Sequence, residues 1–213
     1  MSIPSVEELA PLCFECGPRE WSKNKTIIFD LDETLIINYS RLSGGEAGCV
    51  VPPGLCSGGN GSTEQNTQSL IGIRPYAVDV VRELSKIYEV WIFTASCKEY
   101  ADPIINLLDP LHQYVSRVFY REHCVQLNNG IFVKDLRIFK DRDLKQTVLI
   151  DNSVLSFSFQ LDNGVFISSY YGQNNDSELL YIFNYLKDLY YYDNVQDRNR
   201  KSFGFSSFLN SLN

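Results

Sequence analysis

Lys25-Thr26-Ile27-Ile28-Phe29-Asp30-Leu31-Asp32-Glu33-Thr34-Leu35 is an apolar run that ends abruptly in two carboxylates two positions apart. Such a run reads as a buried parallel strand. If the backbone stays extended through its exit, residues two apart point to the same side, so Asp30 and Asp32 can serve one site. Ligands of open α/β sheets bind just outside the carboxyl ends of the strands. Two carboxylates there repel one another unless a cation or a shared proton intervenes, so the pair predicts a metal site, an acid/base pair, or both.

The rest of the chain limits what can surround that strand. Its 213 residues suit one sizeable domain with a real core, or at most a domain with an elaborated insertion. With 19 Lys and Arg against 26 Asp and Glu, the formal net charge is −7, which argues against binding nucleic acid through the whole surface. No apolar run approaches a membrane span, and the N-terminus lacks the order of a signal peptide. The expectation is an intracellular protein, nuclear or cytoplasmic, without direct nucleic-acid contact. Six cysteines spread over the first 124 residues do not resemble a secreted disulfide framework, so reduced thiols are expected. Cys13-Phe14-Glu15-Cys16 has metal-ligand spacing but no matching second pair; Cys97 and Cys124 read as packing residues.

Along the chain, the stretch from about residue 39 to 72 is rich in Gly, Ser, Pro and Asn and reads as a long loop or cap. Pro75 is placed as the first residue of a helix carrying Val78, Val81, Leu84 and Tyr88 at helical spacing. Val90-Trp91-Ile92-Phe93 is a second buried strand, ending at Thr94. Asp102-Pro103 and Asp109-Pro110 predict two short helices. Val118 to Tyr120 is a strand candidate, and Asn128-Asn129-Gly130 marks a hairpin between Cys124–Leu127 and Ile131–Val133, with Lys134 at its exit. Thr147 to Ile150 is a buried strand ending in Asp151-Asn152, Val165 to Ile167 a further strand, and Glu178 to Leu189 a helix. The tail from Arg198 onward shows no clear period.

Three buried strands thus finish in Asp30/Asp32, Thr94 and Asp151/Asn152, and right-handed crossovers would bring these ends to one sheet edge. Here the chain resembles the haloacid dehalogenase superfamily, whose Asp-x-Asp, Thr or Ser, Lys and final acidic motifs appear in order. Phe93-Thr94-Ala95-Ser96 with Tyr100-Ala101-Asp102-Pro103, Arg121-Glu122-His123-Cys124, Val133-Lys134-Asp135-Leu136 and Ile150-Asp151-Asn152-Ser153 narrow it. Together they resemble the small phosphatases acting on the C-terminal domain of RNA polymerase II, and their nuclear-envelope relatives. The resemblance implies a three-layer, Rossmann-like α/β fold with a central parallel sheet over residues 25–195, and a Gly-rich insertion at about 39–72. Residues 1–24 form an N-terminal segment and 196–213 a C-terminal tail.

It also implies a magnesium-dependent protein serine/threonine phosphatase working through an aspartyl-phosphate on a phosphoprotein or phosphopeptide, the polymerase C-terminal domain among the implied substrates. Asp30 is the expected nucleophile and Asp32 the acid and base. Thr94, Lys134 and Arg121 would contact the phosphate or its peptide. Magnesium would be held by Asp30, the backbone carbonyl of Asp32 and Asn152, with Asp151 orienting Lys134 in the outer shell. In isolation each residue has a plainer reading: a strand exit for Asp30 and Asp32, a turn for Thr94, a solvated lysine for Lys134, a helix cap for Asp151 and Asn152, a surface ion pair for Arg121, turn-shaping for Glu33 and Thr34. The alternatives are a noncatalytic adaptor on the same fold, as in a mitochondrial import subunit, and a small-metabolite phosphatase. Relatives that act on the polymerase tail carry a small sheet forming a proline pocket after the first motif. This chain departs from it over Ser40 to Ser69, and Cys97 replaces a larger apolar residue, although Tyr100 is present.

Overall fold

The computed structural model describes residues 3–18, 23–42 and 70–205. The elements follow in order: α1 (Val6–Leu9), β1 (Thr26–Phe29), β2 (Ile36–Asn38), α2 (Tyr39–Leu42), β3 (Ile71–Ile73), α3 (Ala77–Leu84), β4 (Glu89–Phe93), α4 (Lys98–Leu108) and β5 (Val115–Phe119). Then come β6 (Val125–Gln126), β7 (Phe132–Val133), β8 (Thr147–Asp151), β9 (Gly164–Phe166), α5 (Glu178–Leu189) and α6 (Val195–Phe203). Five strands make one parallel sheet in the order β5-β4-β1-β8-β9. Two antiparallel hairpins, β2-β3 and β6-β7, stand apart from it.

The three central strands are buried along their whole length, which is why they read as continuous apolar runs rather than alternating ones. Alternation instead sorts their side chains between two cores. Ile27, Phe29, Val90, Ile92, Val148 and Ile150 face a layer built on α3, α4 and α5. Ile28, Trp91, Phe93 and Leu149 face the other layer, where Leu136, Phe139 and Phe157 from short 3-10 turns and Leu9 and Cys16 from the N-terminal segment close the sheet. Gly164 is required in that second layer, since a Cβ there would lie 2.1 Å from the Phe157 ring. The sheet flanked by helices is the architecture expected from the strand pattern.

Several expectations change in detail. Helix α3 begins at Ala77, not Pro75; Tyr76 precedes it with a φ of 68°, and Val80 rather than Val78 is buried with Val81 and Leu84. Residues 98–108 form one helix, not two, with Pro103 inside it. Its buried face, Tyr100, Ala101, Ile104, Ile105 and Leu108, outweighs the backbone hydrogen bond that proline removes. Asp109 starts no helix; its carboxylate accepts from the backbone N–H groups of Gln113, Tyr114 and Val115, and steers the chain into β5.

The insertion is rooted in the β2-β3 hairpin, so its two ends are paired strand, while residues 43–69 lie outside the described residues. The stretch read as an aperiodic tail contains α6, anchored by buried Val195 and by Asn199, which donates to the carbonyl of Asp162 and accepts from the Tyr185 hydroxyl. Cys13, Cys16 and Cys124 are free thiols, as expected. Cys97 is not: it is disulfide-bonded. No helix among the described residues is long and apolar enough to cross a membrane.

Candidate active site

Because β1, β4 and β8 are parallel neighbours, their carboxyl ends share one edge, and the hydrogen-bonded register carries past the strands. The Asp30 N–H donates to the carbonyl of Ile150 and the Thr94 N–H to that of Phe119. Asp151 is the last residue of β8. After Asp30 the chain turns tightly: Leu35 and Ile36 both donate to the Leu31 carbonyl, and Glu33 takes a φ of 61°. The turn directs Asp32 toward the same edge, where Asp30, Asp32, Thr94, Arg121, Lys134, Asp151 and Asn152 line one open cleft of about 340 Å³. All seven residues singled out in the sequence meet there.

Lys134 arrives from the β6-β7 hairpin, whose turn places Gly130 at a φ of 81°. Its own N–H donates to the Ser156 carbonyl, and its side chain is fully buried. The ammonium lies 2.5 Å from Asp30 Oδ1 and 2.6 Å from Asp151 Oδ2, while Asp151 Oδ1 accepts from the Ser153 N–H. Asp32 has different partners. Its Oδ2 accepts from the Ser96 hydroxyl at 2.7 Å and its Oδ1 from the Tyr100 hydroxyl at 2.6 Å.

Among the described residues, four carboxylates, Asp30, Asp32, Glu33 and Asp151, therefore line the cleft with two cations, Lys134 and Arg121. Burial pushes Asp30 up to about 7; Lys134 opposes that rise and Asp151 adds to it. Burial works against the charged form of Lys134 too, but Asp151 and Asp30 outweigh it and hold the ammonium above its ordinary value. The arrangement is short of positive charge by about the amount a divalent cation supplies. Among the described residues no three His, Cys, Asp or Glu side chains form a metal cage. The donors present still suit magnesium, which keeps several waters and takes only one or two carboxylates.

Asn152 fits that role, with its orientation set by its neighbours. Its Nδ2 donates to Glu33 Oε2 at 3.1 Å and to the Ser169 hydroxyl at 2.9 Å, which turns Oδ1 the other way, toward the Thr34 hydroxyl. A carboxylate can only accept, so Glu33 decides the amide's orientation. Glu33 thus does more than shape a turn. On the far wall, Arg121 donates from Nε to the carbonyl of Ala95 and stacks over the Phe132 ring at 5.3 Å. Thr94 accepts from the Ser96 N–H through its own Oγ1.

Cys124 lies beside the cleft, but burial pushes its thiol up to about 12, so it offers no thiolate nucleophile. Ser169 as an amide partner and Phe132 as a wall had no signal in the sequence. Ser96 and Tyr100 stand within the motif stretches that carry the family resemblance, but nothing in the sequence ties them to Asp32; Ser96 precedes α4 and Tyr100 lies in its first turn.

Known proteins have chains related to this one. The family model described as NLI interacting factor-like phosphatase matches residues 25–196. CTD small phosphatase-like protein 3 of Caenorhabditis elegans is 37% identical over 187 residues, covering 86% of this chain and 61% of the relative. Nuclear envelope morphology protein 1 of Saccharomyces cerevisiae is 33% identical over 189 residues, covering 82% and 41%. The chain thus spans less than two thirds of these relatives' lengths. The solved structure of Fcp1, an essential RNA polymerase II CTD phosphatase, superposes with a TM-score of 0.59 at 17% identity, covering 79% of this chain and 63% of that one, a likeness of fold.

Proposed function

This chain belongs to the NLI interacting factor-like phosphatase family, and on that premise we propose that it is a magnesium-dependent protein serine/threonine phosphatase acting through an aspartyl-phosphate. The observation that carries the reading is the meeting of two carboxylates on one edge, Asp30 against a buried ammonium and Asp32 against the hydroxyls of Ser96 and Tyr100.

Lys134 holds Oδ1 of Asp30, so Oδ2 attacks phosphorus in line; a P–O bond to Asp30 forms as the bond to the seryl or threonyl oxygen breaks. Asp32 gives its proton to the departing oxygen. In the second half Asp32 takes a proton from water as the water oxygen attacks phosphorus, and the bond to Asp30 breaks to release inorganic phosphate. Thr94 donates its hydroxyl to a phosphoryl oxygen. Lys134, kept charged and aimed by Asp151, offsets the charge of the transferring group, and Arg121 faces the peptide. Asp30, the Asp32 carbonyl and Asn152 would hold magnesium, which would supply the further positive charge that lets a dianion approach these carboxylates.

The substrate class proposed is phosphoserine or phosphothreonine in a peptide, with the RNA polymerase II C-terminal domain the first sequence to test because relatives are named for it. A panel of phosphopeptides, sugar phosphates and nucleotides separates this from a metabolite phosphatase. Turnover of phosphopeptides in magnesium and its loss on adding chelator are the expected results. Absence of turnover on every ester would favour the adaptor reading.

A further inference from the structure

Asp32 is gripped at both oxygens. The Ser96 hydroxyl donates to Oδ2 at 2.7 Å and the Tyr100 hydroxyl to Oδ1 at 2.6 Å. Lengths near these are typical of hydroxyls bound to a carboxylate. A hydroxyl donor on each oxygen fixes the plane of the carboxyl group, because rotation about its last torsion would break both bonds.

The two hydroxyls are themselves held. Ser96 and Tyr100 are buried, the serine just before α4 and the tyrosine in its first turn, and the Ser96 N–H donates to Thr94 Oγ1, which sets the turn that aims the serine. The Tyr100 oxygen accepts from Asn38 Nδ2 at 3.2 Å; Asn38 is buried at the end of β2, and its Oδ1 accepts from the Ser40 N–H. A chain of hydrogen bonds therefore runs from the root of the insertion, through Asn38 and Tyr100, to Asp32. Among the described residues no hydroxyl donates to Asp30, and its charge is met by Lys134.

The chemistry of the two carboxylates explains the difference. A nucleophile in line with phosphorus needs its charge managed. A proton donor needs its oxygen within hydrogen-bond reach of the leaving oxygen, in a fixed direction. Serine and threonine alkoxides are poor leaving groups that depart only as the proton arrives, whereas a nitrophenolate departs without one.

We propose that Tyr100 and Ser96, backed by Asn38, are positioning residues that hold the Asp32 carboxyl for proton delivery to an alkyl leaving oxygen, and so adapt this site to phosphoserine and phosphothreonine esters rather than aryl phosphates. The proposal rests on the phosphatase reading above. As the phosphorus–oxygen bond breaks, its electron pair stays on the ester oxygen, and that oxygen takes the Asp32 proton. The two hydroxyls stay bonded to the carboxyl throughout.

The test compares kcat/KM, which reports the first half-reaction, for a phosphoserine peptide and for 4-nitrophenyl phosphate, both in magnesium. Tyr100→Phe and Ser96→Ala are each expected to lower the peptide value about tenfold or more and the aryl value by less than about threefold. Asn38→Ala, which reaches Asp32 only through Tyr100, shifts the ratio in the same direction by less, and serves if Tyr100→Phe does not fold. In an Asp32→Asn background, Tyr100→Phe should add almost no further loss. Equal losses on both esters, no loss on either, or an undiminished Tyr100→Phe effect without Asp32 would overturn the proposal. A wild-type protein inactive on both esters overturns the phosphatase reading instead, and needs no variant to detect.

Discussion

At opposite edges of the same sheet this protein buries charge in two different ways. At the amino end of β4, Glu89 receives Arg142 on both oxygens, each at 3.1 Å, with the Thr26 hydroxyl on Oε2 as well. The guanidinium also stacks over Trp91 and donates to the Gly17 carbonyl, and Asp141 approaches it from the more exposed side. The planar fork meets its carboxylate and fills its remaining donors, so the pair is locally closed. At the carboxyl edge, four carboxylates of the described residues face Lys134 and Arg121, and the account stays open. Closed buried pairs shape a fold; a buried site short of one sign is built to receive something that carries it.

The largest effect that can break this comparison is catalytic. Asp30→Asn should lower phosphopeptide turnover by on the order of 10⁴-fold or more, and Asp32→Asn by about 10²- to 10⁴-fold, with neither unfolding the protein. Steady-state assays alongside circular dichroism measure both, and robust turnover by Asp30→Asn would remove it as nucleophile. At the closed edge the reverse is expected. Glu89→Ala strands Arg142 and should cost about 3–5 kcal/mol in denaturant melts, while the protein that stays folded keeps its kcat. A Glu89→Ala protein of normal stability but impaired catalysis would erase the distinction between the edges.

The smallest effect is in pH. Burial raises Asp30 from 3.8 to about 7, so the folded protein binds that proton more tightly than the unfolded chain does. The associated stability is fully present below about pH 4 and is lost as pH rises through about 7. In chelator, melting temperature should therefore decline across this window more steeply for the wild type than for Asp30→Asn. Magnesium should recover it at the alkaline end. Parallel curves for the two proteins would show that the Asp30 charge is already offset.

Much of the fold was legible because its central strands are buried on both faces and so stand out as apolar runs. The strands read at Val90, Thr147 and Val165 and the helix at Glu178 were found within a residue or so of their observed bounds. Local signals failed where a tertiary face overrode them. The Asp-Pro pairs looked like two helix starts, yet the buried side of α4 carries one helix through Pro103. Nothing periodic announced α6, which is held by Val195 and by Asn199 hydrogen bonds rather than by an apolar stripe. Cys97 read as a packing thiol, and a disulfide pairing is not visible from one sequence position.

The sequence by itself determined which chemical groups stand at the strand ends and in what order: Asp30, Asp32, Thr94, Lys134, Asp151 and Asn152. It could do so because an apolar run that stops in polar residues marks a strand exit, and parallel strands send their exits to one edge. Only the tertiary structure decided which carboxylate meets which partner. Lys134 and Asp30 are 104 positions apart, and Tyr100 and Asp32 are 68 apart. Those contacts depend on β1 lying between β4 and β8, and on a hairpin delivering one lysine under the edge. Residue types were set along the chain, while the meeting of Lys134 with Asp30, and of the Ser96 and Tyr100 hydroxyls with Asp32, arose from distances that local sequence does not encode.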